Sequence, residues 1–321
     1  MTHRIGVALT PMETRRDVIV DTALLAERLG YEVFSLAEGW SYDSTAMLGF
    51  IAARTQRIRL LSGVLSAWSR TPAVLAMGAA TLHEVSGGRA ILGLGTSTGA
   101  LTQGLHDVAY TRPAEQLRKV TTQVRALLDG HRATTAVTGA RPLKLGLAPA
   151  PELPIWLAAT GDLTTRVVAD VADGWYPLFL TLPNVRSRRN EIASAASKDA
   201  DITVAAGPFV VAGPGARDIA ASCLAWYVCA MGDGYAKLIA DQGYGSAVDA
   251  IISANPRPTP TNSIVPESAA DALAEFTVFG SPEDVRRRLE PWKAAADVLM
   301  VVLPAGLPWE KIETTLRAVV G

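Results

Sequence analysis

Short apolar runs alternate with amphipathic stretches along almost the whole chain, and this alternation limits the possible folds more than any other feature. Eight runs are predicted to be strands, at 4–10, 32–37, 58–65, 89–95, 154–159, 174–178, 202–212 and 297–303. Uniformly apolar runs of this length are typical of parallel strands that are covered on both faces. The amphipathic stretches predict helices at 15–29, 44–55, 72–86, 113–129, 162–172, 182–198, 216–242, 281–294 and 308–319.

Eight strands that alternate with helices indicate an α/β protein, and specifically a (β/α)8 TIM barrel. A doubly wound open sheet is the alternative, because alternation alone does not distinguish an open sheet from a closed one. The chain has 321 residues, of which 49% are hydrophobic, and this is enough for one large barrel. No linker divides it, so we expect a single domain over residues 1–321.

Two stretches interrupt the alternation, and both are expected to be insertions. The first, near 130–150, is expected to hold a small hairpin. The second, near 243–276, includes "SANPRPTPTNSIVP" and is rich in Pro, Ser and Thr, which predicts a long excursion from the barrel. Because long loops of a barrel lie preferentially on its catalytic side, the insertions are expected at the C-terminal face.

Composition excludes several classes of partner and ligand. The net charge of −1 gives no support for binding to nucleic acid or to an anionic membrane. No run of about 18 apolar residues predicts a membrane span, and the first residues contain no apolar signal core. Cys223 and Cys229 are too few for a disulfide framework, so a cytoplasmic location is expected. The four histidines form no cluster with the spacing of metal ligands, so no metal site is predicted.

In a barrel, the active site is formed where the strands end at their carboxyl side. At these positions the sequence offers one carboxylate, several hydroxyls, small residues and aromatic rings, without a nucleophile–base set or a convincing pair of carboxylates. Such an inventory is typical of a site that binds a large planar cofactor and leaves the difficult chemistry to it. The glycine-rich turn in "ILGLGTSTGA", at 91–100, is one residue longer than a Rossmann fingerprint.

Four blocks of the sequence resemble the bacterial luciferase-like monooxygenase superfamily. They are "DTALLAERLGYEVFSLAE", "EVSGGRAILGLGTS", "PIWLAATGDLTTRVVADVADGWYP" and "FGSPEDVRRRLEPWKAAADVLMVV", and they occur in the family's order over nearly the whole chain. The resemblance implies a (β/α)8 barrel that uses either reduced FMN with oxygen or the deazaflavin coenzyme F420.

The resemblance also implies which residues contact the cofactor. The turn after the fourth strand contributes Gly95, Thr96, Ser97 and Thr98, and the turn after the fifth contributes Ala159, Thr160 and Gly161. In deazaflavin-dependent relatives a non-proline cis peptide in the third strand backs the ring, and here it falls at Gly63–Val64. An alternative for the first turn is that its glycines serve strand packing and its hydroxyls cap a helix.

The end of the second strand departs from the family's pattern. Many deazaflavin-dependent dehydrogenases carry an Asp–His pair there, whereas this chain has Ala37–Glu38. Glu38 and Tyr42 are therefore the candidate proton donors. A structural ion pair is the alternative for Glu38. Three aromatic side chains are candidates for the substrate wall, namely Trp40, Trp68 and Trp175.

The function predicted from these residues is a coenzyme F420-dependent oxidoreductase, running as a reductase, that transfers a hydride between deazaflavin C5 and a small organic substrate. One alternative is a reduced-FMN monooxygenase, and the other is a non-catalytic flavin-binding barrel. Relatives pair through helices of the early units, which implies a homodimer through 44–55 and 72–86.

Overall fold

The first strand of the chain pairs with the last, and this pairing closes the sheet into a barrel. The computed structural model describes residues 3–196 and 201–321. Strand β1 (Arg4–Leu9) runs parallel to β10 (Val298–Leu303), from the Arg4–Val298 pair to the Leu9–Leu303 pair. The other barrel strands are β2 (Val33–Leu36), β3 (Arg59–Ser66), β4 (Ala90–Gly95), β5 (Ile155–Ala158), β6 (Gly174–Trp175) and β7 (Thr203–Ala206). Their order is β1 to β7 and then β10, so the (β/α)8 barrel is confirmed and the open sheet is excluded.

Helices cover the outside of the barrel. They are α1 (Arg16–Arg28), α2 (Ser44–Ala52), α3 (Pro72–Val85), α4 (Gly99–Gly104), α5 (Pro113–Leu128), α6 (Asp162–Val171), α7 (Leu182–Ala195), α8 (Ala216–Ala230), α9 (Asp233–Ile239), α10 (Gly245–Ala254), α11 (Ala270–Phe276), α12 (Pro282–Lys293) and α13 (Trp309–Val320). Several begin at residues that are good caps: the side chains of Asp43, Thr71 and Ser281 accept hydrogen bonds from the backbone of α2, α3 and α12. Residues 197 and 198, the end of the predicted helix 182–198, lie outside the described residues.

The predicted seventh strand, 202–212, is in fact two strands. Barrel strand β7 ends at Ala206, and β8 (Phe209–Ala212) follows after Gly207 and Pro208. A Cβ atom at Gly207 would overlap the carbonyl oxygen of Met300, and Pro208 has no N–H for a ladder. Strand β8 therefore leaves the barrel and pairs with β9 (Thr277–Gly280), which the sequence pattern did not predict.

The two insertions lie at different places in the fold. The segment 129–154 leads from the end of α5 into the start of β5, so it lies at the amino ends of the strands and not at the C-terminal face as expected. Its described residues form no strands, and a single backbone hydrogen bond, from Ala133 N–H to the Leu143 carbonyl, takes the place of the expected hairpin. The excursion 243–276 contains α10, a 3-10 turn at Glu267–Ala269 and α11.

Side chains that alternate along each strand separate the interior of the barrel from the layer under its helices. In β10, Met300 and Val302 point inward, whereas Val301 packs beneath the helices. The inward side chains form one continuous apolar cluster with α8 to α11, so these helices cap the carboxyl mouth of the barrel. None of the helices described here is long and apolar enough to cross a membrane.

Charged side chains hold the amino ends of the strands. The Glu27 carboxylate accepts hydrogen bonds from the backbone N–H groups of residues 56–58, just before β3, at 2.8 to 3.0 Å. Asp173 and Asp297 likewise accept from N–H groups at the starts of β5 and β7, at 2.7 and 2.8 Å. Arg89 donates to backbone carbonyls that precede β3. These contacts fix the strand starts through backbone groups that would otherwise lack partners.

Candidate functional site

A cavity of about 340 Å³ opens at the carboxyl mouth of the barrel, between the strand ends and the helices α8 and α9. This volume lies in the range of small-molecule sites. Eight of the residues singled out from the sequence lie on its wall: Glu38, Gly63, Val64, Gly95, Thr96, Ser97, Thr98 and Thr160. The barrel thus brings the ends of β2, β3, β4 and β5 to one concave surface.

The cavity floor at β3 is shaped by glycines. The Gly63–Val64 peptide is cis, as the resemblance implied, and the pairing of β3 with β4 shifts register between Ser62 and Leu65. A Cβ atom at Gly63 would overlap the Ser35 hydroxyl. At Gly95 it would lie 2.7 Å from a methyl group of Val64. Only glycine leaves this floor free of side chains at both positions.

The turn after β4 lies directly on the cavity. Ser97 has a φ of 59°, in the left-handed region that non-glycine residues seldom adopt. The Thr98 hydroxyl accepts a hydrogen bond from Leu101 N–H at 3.3 Å and so caps α4. The Tyr110 hydroxyl donates to the Ser97 carbonyl at 3.3 Å and supports the turn from behind. Thr98 therefore caps a helix, as the alternative predicted, and also lines the cavity, while its contact with the cofactor stays a prediction.

The turn after β5 reaches the cavity through Thr160. Its neighbours Ala159 and Gly161 are not among the described residues that line the cavity. Gly161 precedes α6, and no described side chain caps the first turn of that helix. Trp175 is fully buried and its indole N–H donates to the Ala159 carbonyl at 2.8 Å. Trp175 thus supports the turn from inside the core, and this corrects the prediction that it walls the substrate.

Glu38 is held in an ion pair. Its carboxylate is contacted by both terminal nitrogens of Arg70, and one of its oxygens accepts from Ser44 N–H at 3.0 Å. Arg70 also donates to Asp43 at 2.7 Å. The hydrogen bonds that Arg70 donates to the Glu38 carboxylate raise the pKa of the guanidinium despite its burial. Of the two roles predicted for Glu38, this geometry favours the structural ion pair over the proton donor.

The remaining predicted aromatic residues lie away from the described cavity wall. Trp40 and Tyr42 are exposed, at 48% and 38% of their surfaces. Trp68 stands behind the wall, with its ring 5.6 Å from that of Tyr110, which does line the cavity. These placements therefore do not support the predicted roles of Trp40 and Trp68 in the substrate wall. They also do not support the predicted role of Tyr42 as proton donor.

Four tyrosines on the wall were not among the predicted site residues: Tyr110, described above, and Tyr176, Tyr227 and Tyr235. The Tyr176 hydroxyl bonds to the Ser35 hydroxyl at 3.3 Å, and burial raises the pKa of Tyr176 to about 12. Burial likewise raises the pKa of Tyr235 to about 12 and that of Tyr227 well above its usual value. Tyr176 lies within the predicted strand 174–178 and directly follows β6, so its position carried a signal. Tyr227 and Tyr235 come from the helices that cap the mouth, and no strand-end rule identifies them.

The capping helices are tied to the loop after β6. In the π-helical turn Ala240–Tyr244, the Gln242 side chain donates to the Phe179 carbonyl and accepts from Thr181 N–H, both at 2.8 Å. Phe179 has a φ of 56°, and its ring packs on those of Phe209 and Tyr227 at 5.2 and 4.9 Å. This contact holds one wall of the cavity in place.

Comparisons with known proteins agree with the fold. A coenzyme F420-dependent tetrahydromethanopterin reductase from Methanopyrus kandleri has a TM-score of 0.76 at 20% identity, covering 100% of this chain and 99% of that one. A protein assigned as a coenzyme F420-dependent oxidoreductase in Mycobacterium tuberculosis is 29% identical over 309 residues, which are 86% of this chain and 88% of the relative.

A second curated relative is the phthiodiolone/phenolphthiodiolone dimycocerosates ketoreductase of Mycobacterium tuberculosis. It is 27% identical over 300 residues, which are 87% of this chain and 78% of the relative. The model of the luciferase-like monooxygenase family matches residues 1–298, nearly the whole chain. The four sequence blocks therefore indicated the correct family, and the chain belongs to the luciferase-like monooxygenases.

Proposed function

We propose that this protein is a coenzyme F420-dependent oxidoreductase that works as a reductase. The proposal rests on one observation: the β3 bulge, the turn after β4 and the turn after β5 together form one cavity wall. The relative at 29% identity, assigned to F420, supports this choice of cofactor.

The residues present fit a deazaflavin. Gly63 and Gly95 leave a floor without side chains, against which a planar ring can lie. The hydroxyls of Thr96, Ser97 and Thr98 lie on the adjoining wall, where they can donate to the polar tail. The uncapped start of α6 in the described structure adds backbone N–H groups that favour an anion. When bound and reduced, the coenzyme supplies a hydride; these residues bind and orient it.

We further propose a ketone as the substrate class. The ketoreductase relative supports this choice, and the apolar part of the wall, which includes Leu178, Met231 and Leu238, suits a substrate with apolar groups. In the proposed reaction the carbonyl carbon accepts a hydride and the carbonyl oxygen accepts a proton, so that the ketone becomes an alcohol.

The cofactor is tested by titrating the purified protein with oxidised F420 and, separately, with FMN, following absorbance and fluorescence. We expect saturable binding of F420 and weaker binding of FMN. Preferential binding of FMN would favour the reduced-FMN monooxygenase, which the family's description keeps as the second candidate. Binding of F420 without turnover of any ketone would favour the non-catalytic barrel, and binding of neither cofactor would refute the proposal.

We also propose that the enzyme is a cytoplasmic homodimer. The two cysteines are unpaired, as a reducing compartment requires. Helices α2 and α3 expose Phe50, Val74 and Met77, at 41%, 44% and 47% of their surfaces, and these form an apolar face suited to a second copy. Light scattering is expected to give the dimer mass for the wild type and the monomer mass for Met77→Glu. A monomeric wild type at micromolar concentration would refute the dimer.

A further inference from the structure

The cavity wall contains a buried hydroxyl without a partner. Thr10 ends β1, is only 3% exposed, and lines the cavity. Its Oγ1 atom has no partner at full hydrogen-bond geometry among the described residues, and it interacts there only with the Tyr227 hydroxyl. An unpaired hydroxyl in a protein interior is costly, and most buried polar atoms have a partner. An unpaired one that faces a cavity is therefore available to a ligand.

Tyr227 stands beside Thr10 on the same wall. It comes from the capping helix α8, and it is 2% exposed. Burial raises the pKa of its phenol, and the proximity of Tyr235 and Cys223 raises it further, whereas the neighbouring Thr10 hydroxyl lowers it slightly. The phenol is thus neutral at physiological pH and can donate its proton. Two hydroxyls from β1 and α8 converge on one side of the cavity.

Two other acidic groups on the wall are already engaged. The Glu38 carboxylate is bound by Arg70 and by Ser44 N–H. The Tyr176 hydroxyl is bonded to Ser35. The Tyr235 phenol also lies on the wall, but Tyr227 is the phenol that contacts Thr10, so these two hydroxyls can meet one hydrogen-bond acceptor together.

We propose that Thr10 and Tyr227 bind the carbonyl oxygen of a ketone, and that Tyr227 is the catalytic proton donor. This inference rests on the proposed reduction by F420. As the carbonyl carbon accepts a hydride from the reduced deazaflavin, the π electron pair moves to oxygen. That oxygen takes the proton of the Tyr227 hydroxyl and forms the alcohol O–H bond. The ketone gains two electrons and the coenzyme loses two, and the resulting phenolate regains a proton from water.

The first experiment measures recognition without turnover. The complex with oxidised F420, which has no hydride to give, is titrated by calorimetry with acetophenone and with ethylbenzene, which lacks the carbonyl oxygen. We expect the wild type to prefer the ketone by about tenfold, since each neutral hydrogen bond is worth a few-fold in affinity. The preference should fall in Thr10→Val and in Tyr227→Phe and disappear in the double variant.

Matched controls separate this effect from general damage. Thr121→Val removes another buried hydroxyl that has no described partner, and Tyr244→Phe removes a phenol hydroxyl outside the described cavity wall. Both are expected to keep the ketone preference. Because the Thr10 hydroxyl interacts with no described group other than the Tyr227 phenol, Thr10→Val is expected to melt close to the wild type.

The second experiment measures turnover with reduced F420 and acetophenone. Loss of a general acid typically lowers the rate by about a hundredfold or more, so Tyr227→Phe should lose kcat to that extent while F420 affinity is unchanged. Thr10→Val should mainly raise KM. Failure of the wild type to bind F420 would overturn the proposed function itself. If the wild type binds F420 but shows no ketone preference, this inference alone is overturned. It is also overturned if Thr10→Val and Tyr227→Phe both keep the wild-type ketone preference and kcat.

Discussion

The two ends of the barrel use polar side chains in opposite ways. At the amino ends of the strands, Glu27, Asp173 and Asp297 accept hydrogen bonds from backbone N–H groups. At the carboxyl mouth, the Thr10 hydroxyl and the Trp68 indole N–H are buried without a partner in the described structure. Both ends are built from the same eight strands. The two ends therefore differ in the function of their polar groups and not in the strands that carry them.

Groups that already have partners contribute to stability, whereas an unpartnered group on the cavity wall, such as the Thr10 hydroxyl, is available to a ligand. Barrels in general place stability at the amino face and chemistry at the carboxyl face. Substitutions at the amino face should therefore change the free energy of unfolding more than binding. Substitutions at the mouth should do the reverse.

The largest expected effect is on cofactor affinity in Thr98→Glu. The new carboxylate adds charge and volume to the cavity wall beside the proposed anionic tail, so F420 affinity should fall by about a hundredfold or more. Loss of the α4 cap should cost only about 1 kcal/mol of stability. Affinity is measured by absorbance titration and stability by thermal unfolding.

The control is Thr134→Glu, an exposed position in the insertion at the amino face. It adds the same charge far from the mouth and should leave F420 affinity unchanged. Equal binding by Thr98→Glu and the wild type would remove the cofactor from the turn after β4.

The next effect is on stability in Glu27→Gln. An amide replaces the carboxylate that accepts from residues 56–58, so the free energy of unfolding should fall by about 1.5–3 kcal/mol. The exposed substitution Glu310→Gln is the control and should have little effect. Urea unfolding measures both, and F420 affinity should be unchanged in both. A loss of binding without a loss of stability would contradict the division between the two faces.

The Glu27 carboxylate also makes the stability of the protein depend on pH. Burial tends to raise the pKa of Glu27, but hydrogen bonds from Ile58, Arg57 and Gln56 outweigh it and lower the folded-state pKa. The stabilisation is therefore complete above the unfolded pKa of about 4.3 and is lost as pH falls through the lower folded value. Below about pH 4.3, stability should fall more steeply in the wild type than in Glu27→Gln. Parallel curves would refute this assignment.

A smaller effect is expected for Trp175→Phe. The indole N–H that reaches the Ala159 carbonyl is lost, and a buried acceptor is left unpaired, at a cost of about 1–2 kcal/mol. Because the turn after β5 loses its support, F420 affinity should also fall by a few-fold. The control is Trp292→Phe, which replaces another buried indole, in α12, and should leave F420 affinity unchanged. Unchanged affinity in Trp175→Phe would show that the turn needs no support from this indole.

The smallest effect on binding is expected for Glu38→Gln. The variant keeps an oxygen that can accept from Arg70, so F420 affinity should stay within about twofold and turnover within about tenfold. Kinetics with reduced F420 measure both. A collapse of turnover comparable to that of Tyr227→Phe would return Glu38 to the role of proton donor.

Local patterns in the sequence were sufficient to predict the barrel. Apolar runs and helix caps such as Ser281 depend on neighbouring residues, and the helices and strands follow them closely. The break at Gly207 and Pro208 was missed because the residues on both sides are uniformly apolar. What separates them is the close approach of the Met300 carbonyl from a distant strand.

Side-chain roles in the site were harder to predict, because they depend on partners that are distant in sequence. A position at a strand end correctly indicated that Glu38 would face the cavity, but it gave no indication that Arg70 would pair with it. Trp175 also ends a strand, yet the pleat turns it into the core. Thr10 and Tyr227 come together only because α8 folds back over the mouth, and no local pattern encodes that placement.

The pairing of β1 with β10 has a consequence for synthesis on the ribosome. Strand β1 is synthesised long before its partner from Val298 to Leu303. Until then the nascent sheet has two open edges, and an unpaired edge invites association with other chains. A chain that stops before residue 298 can never close. We therefore expect carboxyl-terminal truncations that remove β10 to be recovered as aggregates.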